Sequence, residues 1–407
     1  MLKILWLARS IPFPANSGDK IYTYKLISSL AEAAAHVTYV GLAEQTDEWS
    51  ESELDRAINW VIVPGQSRSK LASLLDRKPM VSARYGTSNY RSLIRELLPQ
   101  QVPDVVVLDH YAMVFAIEEL KKYYTGPVVH IAHDFETMVT RDLAASFGGP
   151  MLVKLALKLN AIKTAHAERQ LAFASDVVAT LTEFDAGEFR KIGARRTVAL
   201  PPGYDGPVAE ASWRKDERNL RVAIIGSFEW TAKQQNLANF LAVADSRFAK
   251  SGIGIDVVGK VPRQFLQAWQ PKLVATKFHG FVQDLDPIFR HSRLGLIIEE
   301  TGGGFKLKSL DYVFNGLPVA ALANSFEGVP DSVSQHFLVE EDTPALVESI
   351  LIAVSDDARL QEMQSGALNA AKGSFKWATS ARKLLETVTE VRARYQTEFQ
   401  AARSERR

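Results

Sequence analysis

Short apolar runs alternate with amphipathic stretches along the whole chain. Leu2–Ala8 is apolar at nearly every position, the pattern of a strand buried on both faces of a parallel sheet. In Asp19–Ala35 the residues Ile21, Tyr24, Leu26, Ile27 and Leu30 recur at helical spacing, behind Gly18. His36–Leu42, Asn59–Val63, Val102–Leu108 and Pro127–Ala132 predict further strands, and Met151–Phe173 a long helix. Asp176–Leu181 and Arg196–Leu200 complete a first α/β unit. The run Pro201-Pro202-Gly203-Tyr204-Asp205-Gly206-Pro207 then breaks the pattern, because proline fixes φ and lacks a donor. Beyond it the alternation restarts. Leu220–Ile225, Gly254–Val258, Val274–Phe278, Leu294–Ile298 and Leu317–Ala321 predict strands; Gln234–Phe248, Lys306–Phe314, Thr343–Ser355 and Arg359–Ala371 predict helices. A last helix runs from about Trp377 to Gln400. The fold class expected is α/β, two doubly wound parallel-sheet domains facing a cleft, with boundaries at 1–203 and 204–376 and a terminal helix over 377–407. Ligands in such folds bind beyond the carboxyl ends of the strands.

Composition narrows the function classes. The chain has 407 residues, enough for two or three domains. Lys and Arg number 48 against 47 Asp and Glu, so no dedicated nucleic-acid binder is expected. Cysteine is absent, which removes disulfides, thiolate metal sites and a cysteine nucleophile. No apolar run reaches the roughly 18 residues of a membrane span, and MLKILWLARSIPFP reads as a first strand rather than a leader. A cytoplasmic location fits these features.

Three glycine-containing loops follow strands and precede helices: Asn16–Lys20, Gly226–Phe228 and Thr301–Lys306. Amides at a helix start carry partial positive charge, and glycine lets an anion approach them. The third loop, with Gly302, Gly303, Gly304 and Lys306, has the strongest signal; a plain turn is the alternative in each case. Neither a P-loop nor a G-x-G-x-x-G dinucleotide fingerprint is present at these positions. His130-Ile131-Ala132-His133-Asp134-Phe135-Glu136 closes a strand, and Asp109-His110 closes the one before it as a rival site. On a strand, His130 and His133 point to opposite faces, which argues against a shared metal and favours a general base. Ser67–Leu98 is rich in Arg, including Arg77 and Arg84, and Met151–Phe173 carries Lys154, Lys158 and Lys163 among leucines. Together they suit an anionic membrane surface or a lipid-linked phosphate, against the alternative of a solvated face.

These motifs, in this order, resemble the bacterial family 4-like glycosyltransferases of the GT-B kind over nearly the whole chain. The carriers are ILWLARSIPFPANSGDKIYTYKLISSLA, PPGYD, IGSFEWTAKQQNL, FHGFVQDLDPIF and TGGGFKLKSLDYVFNGLPVAALANSFEGV. The resemblance implies a metal-independent transferase with no resident cofactor, hexosyltransferase-like, moving sugar from a UDP- or GDP-type donor to a glycan or lipid-linked acceptor. It implies Gly303, Gly304, Phe305 and Lys306 at the diphosphate and Asp311 at the ribose. Lys233, Gly226 and Ser227 would attend the phosphates, Phe281 and Val282 the base, and Gly18 the donor from the first domain. His133 takes the place of the strand-end histidine, with Asp134 beside it. Asp109, His110, Arg77, Arg84, Lys154 and Lys158 would lie on the acceptor or membrane side. The last helix would cross back to the first domain, and the protein would sit at the inner face of the cell membrane in polysaccharide biosynthesis. Two positions depart from the family: Gly303 stands where many members have a first glutamate, and Ser227 where some have arginine. A sugar-nucleotide 2-epimerase, a non-catalytic glycan- or lipid-binding subunit and an unrelated nucleotide-dependent α/β enzyme are the competing readings.

Overall fold

The computed structural model describes residues 1–15, 17–43, 53–209, 219–300, 304–323 and 325–404. They form two compact units, Met1–Gly203 with Lys376–Arg407, and Tyr204–Phe375.

The first unit is built on seven parallel strands. In chain order they are β1 (Lys3–Ser10), β2 (His36–Leu42), β3 (Asn59–Val63), β4 (Val105–Asp109), β5 (Val128–Ala132), β6 (Val177–Thr180) and β7 (Thr197–Ala199). The spatial order is β3-β2-β1-β4-β5-β6-β7, so the winding reverses between β1 and β4. Leu5, Leu7, Val106, Leu108, Met113 and Phe115 meet in the core, which is why these strands are apolar throughout. β1 changes register between Leu7 and Ser10. Two buried tyrosines serve the carbonyls there. The Tyr90 hydroxyl lies 2.6 Å from Ala8 O and 2.8 Å from Val40 O, and Tyr39 donates to Ser10 O at 2.8 Å. The irregular end is thereby satisfied.

The basic stretch Ser67–Leu98 folds into helices Lys70–Leu74, Met80–Tyr85 and Ser88–Gln101. Ser69 and Thr87 cap the first and third, accepting from the amides of Ala72 and Tyr90. Val102 is not in a strand: it ends the third helix with φ of 43°, and β4 begins only at Val105. The last helix, Trp377–Ser404, packs within this unit on helix Gly18–Glu32. Its Trp377 ring meets Tyr22 edge-on at 5.7 Å, and Ser380 donates to Pro201 O at 2.6 Å. A Cβ on Gly203 would stand 2.3 Å from the Trp377 backbone nitrogen, so only glycine fits that crossing.

The second unit has β8 (Arg221–Ile225), β9 (Gly254–Val258), β10 (Thr276–Gly280), β11 (Leu294–Ile297), β12 (Val319–Leu322) and β13 (Leu338–Glu340). All are parallel in the order β10-β9-β8-β11-β12-β13, and the winding reverses between β8 and β11. The short edge strand β13 was invisible to periodicity, having three residues and an exposed Val339. Pairing of β8 with β11 stops at Gly295↔Ala223. There the Tyr312 hydroxyl enters between the strands: it accepts from the Ile225 amide at 3.0 Å and lies 3.2 Å from Ala223 O. Its ring occupies the space a Gly295 side chain would need. Tyr312→Phe leaves a buried amide without its acceptor, an expected loss of about 1–3 kcal/mol in denaturant unfolding; an unchanged midpoint would show the hydroxyl to be dispensable.

Candidate functional site

In the first unit, polar side chains converge where β1, β4 and β5 end. A small open pocket with about 20 Å³ of room is lined by Arg9, Asp19, Lys20, Thr23, Asp109, His110 and His133 among others. Asp109 is its hub and is almost wholly buried. One carboxylate oxygen accepts from Trp6 Nε1 at 2.9 Å and Thr23 Oγ1 at 2.8 Å. The other lies 2.6 Å from His133 Nε2. An Asp109 carboxylate places the shared proton on Nε2, which leaves His133 Nδ1 as the lone-pair nitrogen of the neutral ring. Nδ1 is buried and has no hydrogen-bond partner in the structure.

His110 follows Asp109 with φ of 76°, a conformation that costs a non-glycine residue about 1–3 kcal/mol. The kink brings its ring into the same cluster. Its Nδ1 accepts from the Ala112 amide at 3.1 Å, and its Nε2 faces Glu136 Oε1 at 3.3 Å and Arg9 at 3.4 Å. Arg9 also pairs with Asp19, in the first turn of the helix that starts at Gly18. Glu168, fully buried on helix Met151–Ala174, accepts from the amides of Glu136 and Thr137, each at 2.8 Å, and so holds the start of helix Glu136–Ser146.

Burial sets the protonation pattern, modulated by these charges. Burial pulls the His133 imidazole down, but the Asp109 charge and hydrogen bond outweigh it and hold the pKa above the usual histidine value. Burial pushes Asp109 up, but the His133 charge and the donors from His133, Trp6 and Thr23 bring it below the carboxylate norm. Burial raises Glu136 to about 7, against Arg9 and His133. His110 is held well below its ordinary value by burial and by Arg9.

The cluster revises the expected roles. His133 has Asp109 as its hydrogen-bond partner, 24 residues away in sequence, while Asp134 is half-buried and does not line the cleft. Asp109 and His110, expected on the acceptor or membrane side, line the same pocket as His133. His130 points away, against Phe189, with Nδ1 on Leu108 O at 2.9 Å. Arg84 lies over the Tyr85 ring and donates to Ser67 Oγ at 3.2 Å, so it is a tethered side chain. Gly18, as expected, opens the helix next to the cleft. Arg9 and Glu168 were missed, their only signal being charge inside or beside apolar runs, while Glu136 stood in the strand-end stretch without an assigned role.

In the second unit the residues expected at the donor follow β8, β10 and β11. Gly226 and Ser227 close β8, and Ser227 donates to Glu229 at 3.1 Å. Lys233 is in the first turn of helix Thr231–Lys250 rather than in a loop, because the helix starts earlier than the apolar pattern predicts. Phe281 is exposed and Val282 half-buried beyond β10. Gly303 lies outside the described residues. Gly304 follows with φ of 73°, and Lys306 caps helix Leu307–Phe314, its ammonium 3.1 Å from Gly304 O. Phe305 packs edge-on to Phe375 at 6.1 Å, so its side chain is a core contact. The Asp311 carboxyl is raised to about 6 by burial.

Two further residues were not anticipated. Lys308 forms a buried ion pair with Glu299 at 2.5 Å, and the second Glu299 oxygen is buried without a partner. Burial depresses the Lys308 ammonium, opposed by Glu299; Lys233 and Lys306 are close enough to act on both groups. Glu300 turns the other way, accepting from Asn239 at 2.9 Å and Thr343 at 2.7 Å. The Asp-x-Asp sequence Asp284-Leu285-Asp286 is occupied locally. Asp284 accepts from the Asp286 amide at 3.0 Å, and Asp286 pairs with Arg290 at 2.7 Å.

Residues 219–356 match the family model described as Glycosyl transferases group 1. Among solved structures, a sucrose-phosphate synthase from Thermosynechococcus elongatus superposes with a TM-score of 0.71 at 15% identity, covering 97% of this chain and 100% of that one. Anabaena HepE, solved in complex with UDP-glucose, gives 0.65 at 14% identity over 96% and 100% of the two chains. WaaG, a glycosyltransferase involved in lipopolysaccharide biosynthesis, gives 0.66 at 17% over 95% and 99%. No curated protein sequence matches. The likeness to these structures establishes the two-domain GT-B fold, and the family match lies within the second unit. The second unit therefore carries a glycosyl transferases group 1 domain, and the chain is a transferase with the GT-B fold.

Proposed function

We propose that the protein transfers a hexose from a UDP- or GDP-linked donor to a hydroxyl of a glycan or lipid-linked acceptor. The reaction runs without a divalent metal, at the inner face of the cell membrane. The observation that carries this reading is the Asp109–His133 dyad, whose remaining ring nitrogen is buried and unpartnered beside a cleft. In this reading Nδ1 takes the proton of the acceptor hydroxyl as it attacks the anomeric carbon, and Asp109 stabilises the imidazolium that forms. Trp6 and Thr23 hold Asp109 in place. HepE was solved with UDP-glucose, which supports a nucleotide-sugar donor here.

The nucleoside diphosphate leaves with growing negative charge. Lys308, Lys306 and Lys233 supply positive charge for it. Each charge-assisted hydrogen bond contributes about 1.5–3 kcal/mol, so a few of them provide the leaving-group assistance a metal would otherwise give. Asp311 would bind the ribose, and the exposed Phe281 segment and Trp230 the base. A labelled donor panel with EDTA present tests the reading: transfer is expected only with acceptor and unchanged by the chelator. Donor turnover without any acceptor, or loss of transfer under EDTA, would argue for a different reaction.

A further inference from the structure

Helix Met151–Ala174 buries only one side. Ala161, Thr164, Ala167, Glu168 and Leu171 face the unit's interior. The opposite side carries Leu152, Leu155, Leu159 and Ile162, exposed by 81%, 63%, 50% and 68%. Their spacing of three, four and three residues lines them on one face, roughly 15 Å long at 1.5 Å per residue. Leu75, 89% exposed, belongs to a loop bound to the same helix: Lys163 donates to Leu74 O at 3.0 Å and to Asp76 O at 2.6 Å. A neighbouring helix is bound as well, the Met80 amide donating to Asn160 at 2.8 Å. Thus apolar side chains from two segments are held rigidly in water.

The charges around the stripe are of one sign. Between Met151 and Lys163 the helix has Lys154, Lys158 and Lys163 and no acidic residue. Arg77 adds a further cation next to Leu75 and Asp76, and Asp76 itself is paired with Arg68 at 2.9 Å. Elsewhere in the basic stretch Lys78 and Arg91 bind Glu118, Arg95 binds Glu119, and Arg84 lies on the Tyr85 ring. Lys154, Lys158 and Arg77 are the cations beside the apolar stripe.

We infer that this face docks on an anionic lipid surface, the leucines entering the headgroup–acyl boundary and Lys154, Lys158 and Arg77 meeting lipid phosphates. The inference deepens the membrane-side placement proposed above and does not depend on the donor site. A second copy of the chain fits less well, since pairing two such faces sets lysines against lysines with no acid to meet them. The helix lies in the interface plane, because among the described residues no helix is long and apolar enough to cross a membrane. It also connects to the chemistry. Glu168, which holds the Glu136 and Thr137 amides beside the His133 cluster, is on this helix, about 14 Å along its axis from Leu159. Docking would set that cluster at a fixed height above the bilayer, where a lipid-linked acceptor presents its hydroxyl.

The test is co-sedimentation of the full chain with phosphatidylcholine vesicles, with and without a minority of phosphatidylglycerol. Binding is expected only with phosphatidylglycerol, and is expected to weaken in high salt. Leu155→Asp with Leu159→Asp should lower vesicle binding about tenfold or more, with melting temperature and nucleotide binding unchanged. Lys154→Glu with Lys158→Glu should do the same for the anionic vesicles. Equal binding to both vesicles, no binding by folded wild type, or binding that survives both pairs of substitutions would overturn the inference. So would a wild-type dimer dissolved by the leucine substitutions, which would name a second copy as the occupant. Nucleotide binding lost with vesicle binding intact would instead count only against the transferase reading.

Discussion

His133→Ala is expected to lower transfer by about 10²–10⁴-fold, the range for loss of a general base, while nucleotide affinity stays near wild type. The separation follows from placement: His133 is in the first unit, and the lysine cluster in the second. Asp109→Asn gives a sharper signature. The base must be neutral to accept a proton, so transfer falls as pH drops through the His133 pKa. In the wild type that acid limb is expected above the ordinary histidine value near 6.5, because Asp109 outweighs burial. With Asp109→Asn the carboxylate charge is gone and burial dominates, so the limb moves to lower pH, together with a fall in kcat. The variant keeps an acceptor for Trp6 and Thr23, so the fold should hold. A kcat/KM profile measures this directly. A limb that does not move would remove Asp109 from the role of setting the histidine's basicity.

The second large effect concerns Lys308. Lys308→Met alone strands Glu299 in a buried site, which costs about 3–5 kcal/mol of stability in comparable pairs. Any loss of binding would then be ambiguous. Lys308→Met with Glu299→Leu replaces the whole pair by apolar groups, a change that is often neutral for stability. This double variant is expected to melt close to wild type yet bind the nucleotide donor about ten- to a hundredfold more weakly, the equivalent of one charge-assisted hydrogen bond. Calorimetric titration with melting curves separates the two effects. Wild-type affinity in a stable double variant would show the pair to be purely structural. Lys306→Ala is expected to lower turnover about tenfold without unfolding; its half-buried ammonium lies 3.1 Å from Gly304 O.

Much of the fold was legible because parallel strands buried on both faces write themselves as unbroken apolar runs. Leu5, Val107, Ile224 and Leu296 sit in such runs, and all are buried. Elements stabilised by other means were not legible. Helices Lys70–Leu74 and Met80–Tyr85 are short and held by caps and by Asn160 and Lys163 from a distant helix. Strand β13 depends on β12 for its bonds. The same distinction applies to the site. The carboxyl ends of strands pointed to Gly18, His133 and Gly226 without reference to three dimensions. The Asp109–His133 pair depends on sheet register, in which Asp109 stands opposite Ile131 two residues before the histidine. No local pattern records that. Lys306 drew attention by following the glycines, but the helix start at Leu307 turns Lys308, two residues on, toward Glu299.

The proposed transfer requires that a nucleotide sugar bind to the second unit at its lysine cluster. Donor binding is its most direct test, as thermal shift of the full chain against UDP-, GDP-, ADP- and CMP-sugars with free UDP and GDP. A ligand at about 100 times its Kd adds about 2.7 kcal/mol of stability, enough to move a melting transition visibly. Stabilisation is expected from one nucleotide class, UDP or GDP, retained in His133→Ala and lost in the Lys308→Met/Glu299→Leu variant. A folded wild-type chain that no nucleotide or nucleotide sugar stabilises would contradict it.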